Sequence, residues 1–126
     1  MALQLAKSHP PIIGIVGVCA SGKTTLTRRL TQLGLDTHHI AQEHSYVPDM
    51  WQRLTHPDFL IYLMASYAST IRRRKLNWTQ SEYEEQLFRL RHAREHANLV
   101  IDTDSMTETG LVTFVVNFLR QHKFLP

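Results

Sequence analysis

Between residues 12 and 24 an apolar run meets a glycine-bounded loop and then a leucine-patterned segment, and that junction leaves few folds open to this chain. Ile12-Ile13-Gly14-Ile15-Val16 follows Pro10-Pro11 as a continuous apolar run, which is how a strand buried on both faces reads. Leu26, Leu30 and Leu33 then recur at helical spacing, and Gly34 stands where a helix C-cap belongs. Between them, Gly17-Val18-Cys19-Ala20-Ser21-Gly22-Lys23-Thr24 matches the pattern G-x-x-x-x-G-K-[ST] at every fixed position. A loop between strand and helix wraps a phosphate only when successive backbone N–H groups turn inward, and glycines permit that path. The helix that opens near Lys23 aims its positive end at the bound anion. Lys23 adds a mobile ammonium near the outer phosphates, and Thr24 offers a hydroxyl to magnesium, a hard cation that takes oxygen ligands.

The rest of the chain alternates short β-type runs with helical patterns, so the expectation is an α/β domain over residues 1–126 with a parallel sheet of about four strands. A short second strand is expected at residues 38–41, and residues 42–57 read as a loop with one helical turn. Phe59-Leu60-Ile61-Tyr62-Leu63 is a third strand, and Ser66 caps a helix carrying Tyr67 and Ile71 that ends in Arg72-Arg73-Arg74-Lys75. Thr79 and Glu82 have capping-box spacing. The helix they open is expected to carry Tyr83, Leu87, Leu90 and Ala97 on one stripe and to end near Asn98. Leu99-Val100-Ile101 is the last strand. Ser105 and Glu108 repeat the capping-box spacing ahead of a final helix with Val112, Val115, Val116 and Leu119 on one face. That makes about four helices, with right-handed crossovers between the strands.

Whole-chain properties exclude several classes. No apolar run approaches the roughly 18 residues of a membrane span, and residues 1–11 lack the apolar core of an export signal. Cys19 is the sole cysteine, so no disulfide framework exists and a reducing cytoplasm is expected. Fourteen basic against 11 acidic residues give a formal charge of +3, which suits an anionic small ligand and falls short of a nucleic-acid footprint.

Three stretches resemble the P-loop kinases of small molecules, the group that includes adenylate, shikimate, cytidylate and dephospho-coenzyme A kinases. They are the loop with its following Thr25, the run 59–63 with Ala65-Ser66 and the arginines at 72–74, and Leu99-Val100-Ile101-Asp102-Thr103 with the closing helix. The resemblance implies a three-layer P-loop NTPase fold, ATP with magnesium, and transfer of the γ-phosphoryl group to a small acceptor. Nucleotide contacts would fall on Gly17, Cys19, Ala20, Ser21, Gly22, Lys23, Thr24 and Thr25, with Thr24 on the metal. Lys23, Arg72 and Arg73 would act on the transferring group, with Arg74 in the same lid stretch, and residues 104–107 would lie beside the adenine. The chain departs from the family in lacking a central strand that ends in an acidic residue, and Met64 stands where the family often has one. Glu43 is the substitute expected to reach the phosphates, and Glu43 and Asp49 are both candidates for the acceptor's base.

Other constellations carry two readings each. Residues 43–53 lie where α/β sheets bind ligands; Tyr46 and Trp51 would stack on an acceptor with Arg53 as its anion clamp, or the aromatics simply cover the sheet. His92-Ala93-Arg94-Glu95-His96 matches the H-x-x-E-H pattern of inverted zinc proteases, yet nothing downstream supplies a third ligand, so a solvated helix face is expected. Cys19 either fills a variable loop position or acts as a redox-sensitive thiol. No N-K-x-D sequence occurs, which leaves a GTPase without its guanine reader. The expected function is an ATP-dependent small-molecule kinase; the alternative is a nucleotide-binding regulatory module with weak or no ATPase activity.

Overall fold

A computed structural model of the chain describes residues 10–74 and 77–122. Lys75 of the basic run and residues 1–9 of the N-terminal segment lie outside them. The apolar run after the two prolines forms β1 (Ile12–Gly17), and the leucine-patterned segment forms α1 (Lys23–Gln32). Three more strands follow: β2 (Asp36–His39), β3 (Phe59–Met64) and β4 (Leu99–Asp102). All pair in parallel in the order β2-β1-β3-β4. Six α-helices are described. After α1 come α2 (Met50–Thr55), α3 (Tyr67–Arg74), α4 (Gln80–Arg89), α5 (Arg91–His96) and α6 (Glu108–Gln121), and a 3-10 turn spans Gln42–His44. None of the described helices is long and apolar enough to cross a membrane.

Strand side chains alternate between the two faces of a sheet, and here each face meets its own apolar cluster. Ile13, Ile15, Phe59, Ile61 and Leu63 pack with Leu26 and Leu30 of α1 and with Leu111, Val112, Val115 and Leu119 of α6. Val16, Leu60 and Tyr62 pack on the opposite side with Ile40, Trp51, Leu90 and Ala93. Both faces are therefore covered, which is why β1 and β3 carry unbroken apolar runs.

Several local expectations hold. Gly34 is left-handed, and the Gly34 and Leu35 amides bond back to the carbonyls of Thr31 and Leu30, closing α1. Ser66 caps α3 by accepting from the Ser69 amide. The Thr79 hydroxyl accepts from the Glu82 amide at 3.1 Å while the Glu82 carboxylate accepts from the Thr79 amide at 2.8 Å.

Others are corrected. There are six α-helices rather than four, because residues 42–57 hold both the 3-10 turn and α2, and the long helix after Thr79 breaks at Leu90 into α4 and α5. Leu90 is fully buried and its backbone both ends α4 and opens α5, so packing sets the break where no glycine or proline signals it. The buried side of α4 is marked by Gln86, while Leu87 is 38% exposed. Leu33 likewise faces outward. β2 begins at Asp36, opposite Ile12, and not at His38. The last helix is capped by Thr107, whose hydroxyl accepts from the Gly110 amide, and not by Ser105.

Candidate functional site

From β1 the chain passes first to β2 on one side and then across to β3 on the other, so the carboxyl end of β1 lies where the sheet's winding reverses. Ligands of open α/β sheets sit at such a point. The loop of residues 17–24 leaves β1 there. Gly17 is required by space, since a Cβ on it would lie 2.5 Å from the Leu63 carbonyl oxygen and 2.7 Å from Ser21 Oγ. Gly22 is required by conformation: it is the N-cap of α1 at φ +108°. No side chain caps α1, so the amides of its first turn are left for another acceptor.

Three polar side chains from distant segments hold the loop directly, and a fourth, Glu43, acts through the loop's own Lys23. Thr103, buried just beyond β4, sets its hydroxyl 3.0 Å from the carbonyl oxygens of both Ser21 and Met64. Arg73 donates to the Ala20 carbonyl and to the Thr103 hydroxyl and carbonyl. Gln86 accepts from the Cys19 amide at 3.0 Å and donates to its sulfur at 3.2 Å. Lys23 folds back against the loop, donating to the carbonyls of Gly17 at 2.8 Å and Val18 at 3.2 Å. Its ammonium also pairs with Glu43 at 2.9 Å, and both side chains are almost wholly buried. Ser21 Oγ and Glu43 Oε1 are buried among the described residues without a hydrogen-bond partner.

A cleft of about 370 Å³ opens beside the loop. One wall is Ala20, Ser21, Gly22, Thr24, Thr25 and Leu26; the other is Thr103, Met106, Thr107, Glu108, Leu111 and Val112, with Arg73 and Arg74 at its edge. Asp104 fastens the second wall to α3, accepting from the Ser66 amide at 2.8 Å. Burial pushes its carboxyl upward, but hydrogen bonds from Ser66 and Ser69 and the nearby Arg73 outweigh that and hold it below the ordinary carboxylate value.

The expected site residues separate into those gathered at the loop and those held elsewhere. Gly17, Cys19, Ala20, Ser21, Gly22, Lys23, Thr24 and Thr25 form the loop and the first turn of α1, with Thr24 exposed. Glu43 reaches the Lys23 ammonium from the 3-10 turn. Arg73 touches the loop, whereas Arg72 turns to Ser69 on its own helix. In residues 43–53, Trp51 is buried in the core beneath His92 and donates its indole N–H to that ring. Tyr46 is exposed and holds Arg89 over its face at 4.2 Å. Arg53 pairs with Asp49, and its hydrogen bond lowers the Asp49 pKa. Trp51 thus takes the covering role. His92 and His96 stack at 4.2 Å over Trp51, and the only three-ligand cluster among the described residues lies elsewhere.

Sequence reasoning missed Thr103 and Gln86 as loop-building residues and Gln42 as the anchor of the 3-10 turn that carries Glu43. Gln42 is fully buried, accepts from the Trp51 amide at 2.7 Å and donates to the carbonyls of Val47 and Arg89. A lone Thr or Gln in sequence carries no sign of such a role; only the meeting of distant segments creates it. No protein-family model matches the chain, and no curated protein matches it either.

Proposed function

We propose that this chain is an ATP-binding protein of the three-layer P-loop NTPase type, and that it transfers the γ-phosphoryl group to a small acceptor. The observation that carries the reading is the cleft, whose one wall is the loop and the uncapped start of α1 and whose other wall is the segment after β4. The residues fit a nucleotide tail. Gly17 and Gly22 carry no Cβ at two points of the loop, Ser21 Oγ is a buried hydroxyl without a partner among the described residues, and the first-turn amides favour an anion. Leu26, Met106, Leu111 and Val112 supply an apolar stretch suited to a base. Thr24 would hold magnesium through its hydroxyl. A bound triphosphate with its metal supplies the transferable group. For its part, the chain excludes water with the second wall, orients phosphates with amides, and concentrates positive charge with Lys23, Arg73 and Arg74. Glu43 is the carboxylate nearest the Lys23 ammonium and the best-supported candidate for receiving a proton or orienting the metal.

A second reading has its own support. In residues 43–53, for which an acceptor pocket is one of two readings, Trp51 is buried and its amide is bonded to Gln42. That favours a nucleotide-binding module without an acceptor.

Thermal unfolding with and without magnesium-ATP tests the first step. Nucleotide at a hundred times its Kd stabilises by about 2.7 kcal/mol, a rise of roughly 10 °C for a domain of this size. Lys23→Met and Gly22→Ala should each abolish most of that rise. No rise in the wild-type protein at millimolar nucleotide overturns the reading. Acceptor-stimulated ATP consumption across nucleosides, sugars and small acids then separates kinase from module.

A further inference from the structure

Beside the loop, next to the Lys23 ammonium, the side chains of Cys19, Glu43 and His44 converge. One sulfur, one carboxylate oxygen and one imidazole nitrogen lie within 4.8 Å of one another. We propose that these three residues form a binding site for a thiophilic divalent cation, zinc in chemical class, with water completing a tetrahedron.

The donor set selects the metal. Thiolate, imidazole and carboxylate together are the ligands of zinc sites, whereas magnesium and calcium take oxygen alone. A thiolate and a carboxylate oppose the ion's two positive charges, with the Lys23 ammonium on the same carboxylate leaving one positive charge in excess, and the thiol proton leaves to solvent as the metal–sulfur bond forms. Glu43 Oε1 is the second, independent sign: a carboxylate oxygen on a residue 4% exposed, with no hydrogen-bond partner among the described residues. A buried carboxylate oxygen without a partner is costly unless something cationic meets it.

The geometry needs little adjustment. Zinc bonds of about 2.0–2.3 Å set neighbouring ligands roughly 3.5 Å apart, and His44 Nε2 already lies 3.7 Å from Glu43 Oε2. The remaining separations lie within 4.8 Å, and His44, whose side chain is 61% exposed, is free to rotate and to admit the ion from solvent.

Surrounding bonds fix the other two ligands, as outer-shell groups do at metal centres. The Gln86 amide donates to the Cys19 sulfur and accepts from its backbone N–H. The Arg89 guanidinium donates to the Glu43 carbonyl, and Gln42 anchors the 3-10 turn that carries Glu43 and His44. An ion here shares Glu43 with the Lys23 ammonium. Occupancy therefore loosens the Lys23 pair while fastening Cys19, which ties metal content to the loop. The site itself does not depend on nucleotide binding.

Cobalt(II) is the probe, because thiolate ligation gives it a near-ultraviolet charge-transfer band and tetrahedral ligation gives strong visible bands. Titration of the reduced full chain should show one ion per chain with both features, and zinc should displace it. Cys19→Ser should remove the charge-transfer band, and His44→Ala, at an exposed position that leaves the fold intact, should weaken binding at least about tenfold. His92→Ala with His96→Ala should change neither. Absence of the thiolate band, binding unaltered by His44→Ala, or binding lost with the His92 and His96 changes overturns the site. Each outcome is read without nucleotide, so it stands or falls separately from ATP binding.

Discussion

Glu43→Gln isolates the strongest electrostatic feature of the fold. The substitution preserves shape and leaves the Lys23 ammonium buried, with the Gly17 and Val18 carbonyls still at 2.8 and 3.2 Å but without its counter-charge. Removing one partner of a buried pair costs about 3–5 kcal/mol. Two retained carbonyls, and an amide oxygen still able to accept, bring the expected loss to about 2–3 kcal/mol. At about 4 °C per kcal/mol for a domain of this size, Tm should fall by roughly 8–12 °C. Because the pair is sheltered from solvent, the drop should persist in molar salt, where exposed pairs are screened. The decisive comparison is the cycle of Glu43→Gln, Lys23→Met and the double variant carrying both changes. Removing both charges should restore stability relative to either single change, since no unpaired ion remains. Thermal or urea unfolding measures all four proteins. A Glu43→Gln protein within about 2 °C of wild type, or a double variant losing the sum of the single losses, would refute a buried, mutually dependent pair.

Two further outcomes follow from local geometry. Gly17→Ala forces a Cβ against the Leu63 carbonyl and Ser21 Oγ, so urea unfolding should show a loss of about 2–3 kcal/mol; a neutral substitution would mean that the loop path differs. Burial raises the Tyr62 hydroxyl from 10.0 to about 12, with Arg94 opposing and Tyr83 adding to the shift. Its contribution is therefore complete below pH 10 and lost as pH rises towards 12, so Tyr62→Phe should flatten that part of a stability–pH profile, and identical alkaline limbs would contradict it.

Where structure follows from neighbouring residues, the sequence was readable. The β1–loop–α1 junction, the Gly34 stop and the Thr79–Glu82 cap all rest on contacts a few residues apart. Packing across the molecule was not. Leu90 breaks α4 from α5 because burial holds it there, with no local signal. β2, an edge strand with Thr37 as its only buried residue, offers no apolar pattern from which to read its register. Ser105 has the same spacing to Glu108 as a true cap, but a turn closed by the Met106 amide on the Thr103 carbonyl keeps it outside the helix. At the site, Glu43 was legible as an acid just beyond a strand end, whereas its partner could be known only once the 3-10 turn was placed beside the loop.

The contacts that shape the loop come from residues far along the chain, and this has a consequence for how the site responds to damage. Glu43 follows β2, Arg73 follows β3, Gln86 belongs to the crossover between β3 and β4, and Thr103 follows β4. Each segment beyond a strand end thus gives the loop a polar contact: a counter-charge, a guanidinium donating to a loop carbonyl, an amide acceptor, and a hydroxyl between two carbonyls. Local sequence alone makes residues 17–24 a flexible turn, with glycines that add freedom to the unfolded chain. The loop therefore becomes rigid only when the β2–β3 crossover, the β3–β4 crossover and the segment after β4 are all in place. Its order should be lost together with the sheet rather than ahead of it, unlike the surface loops that open first in most domains.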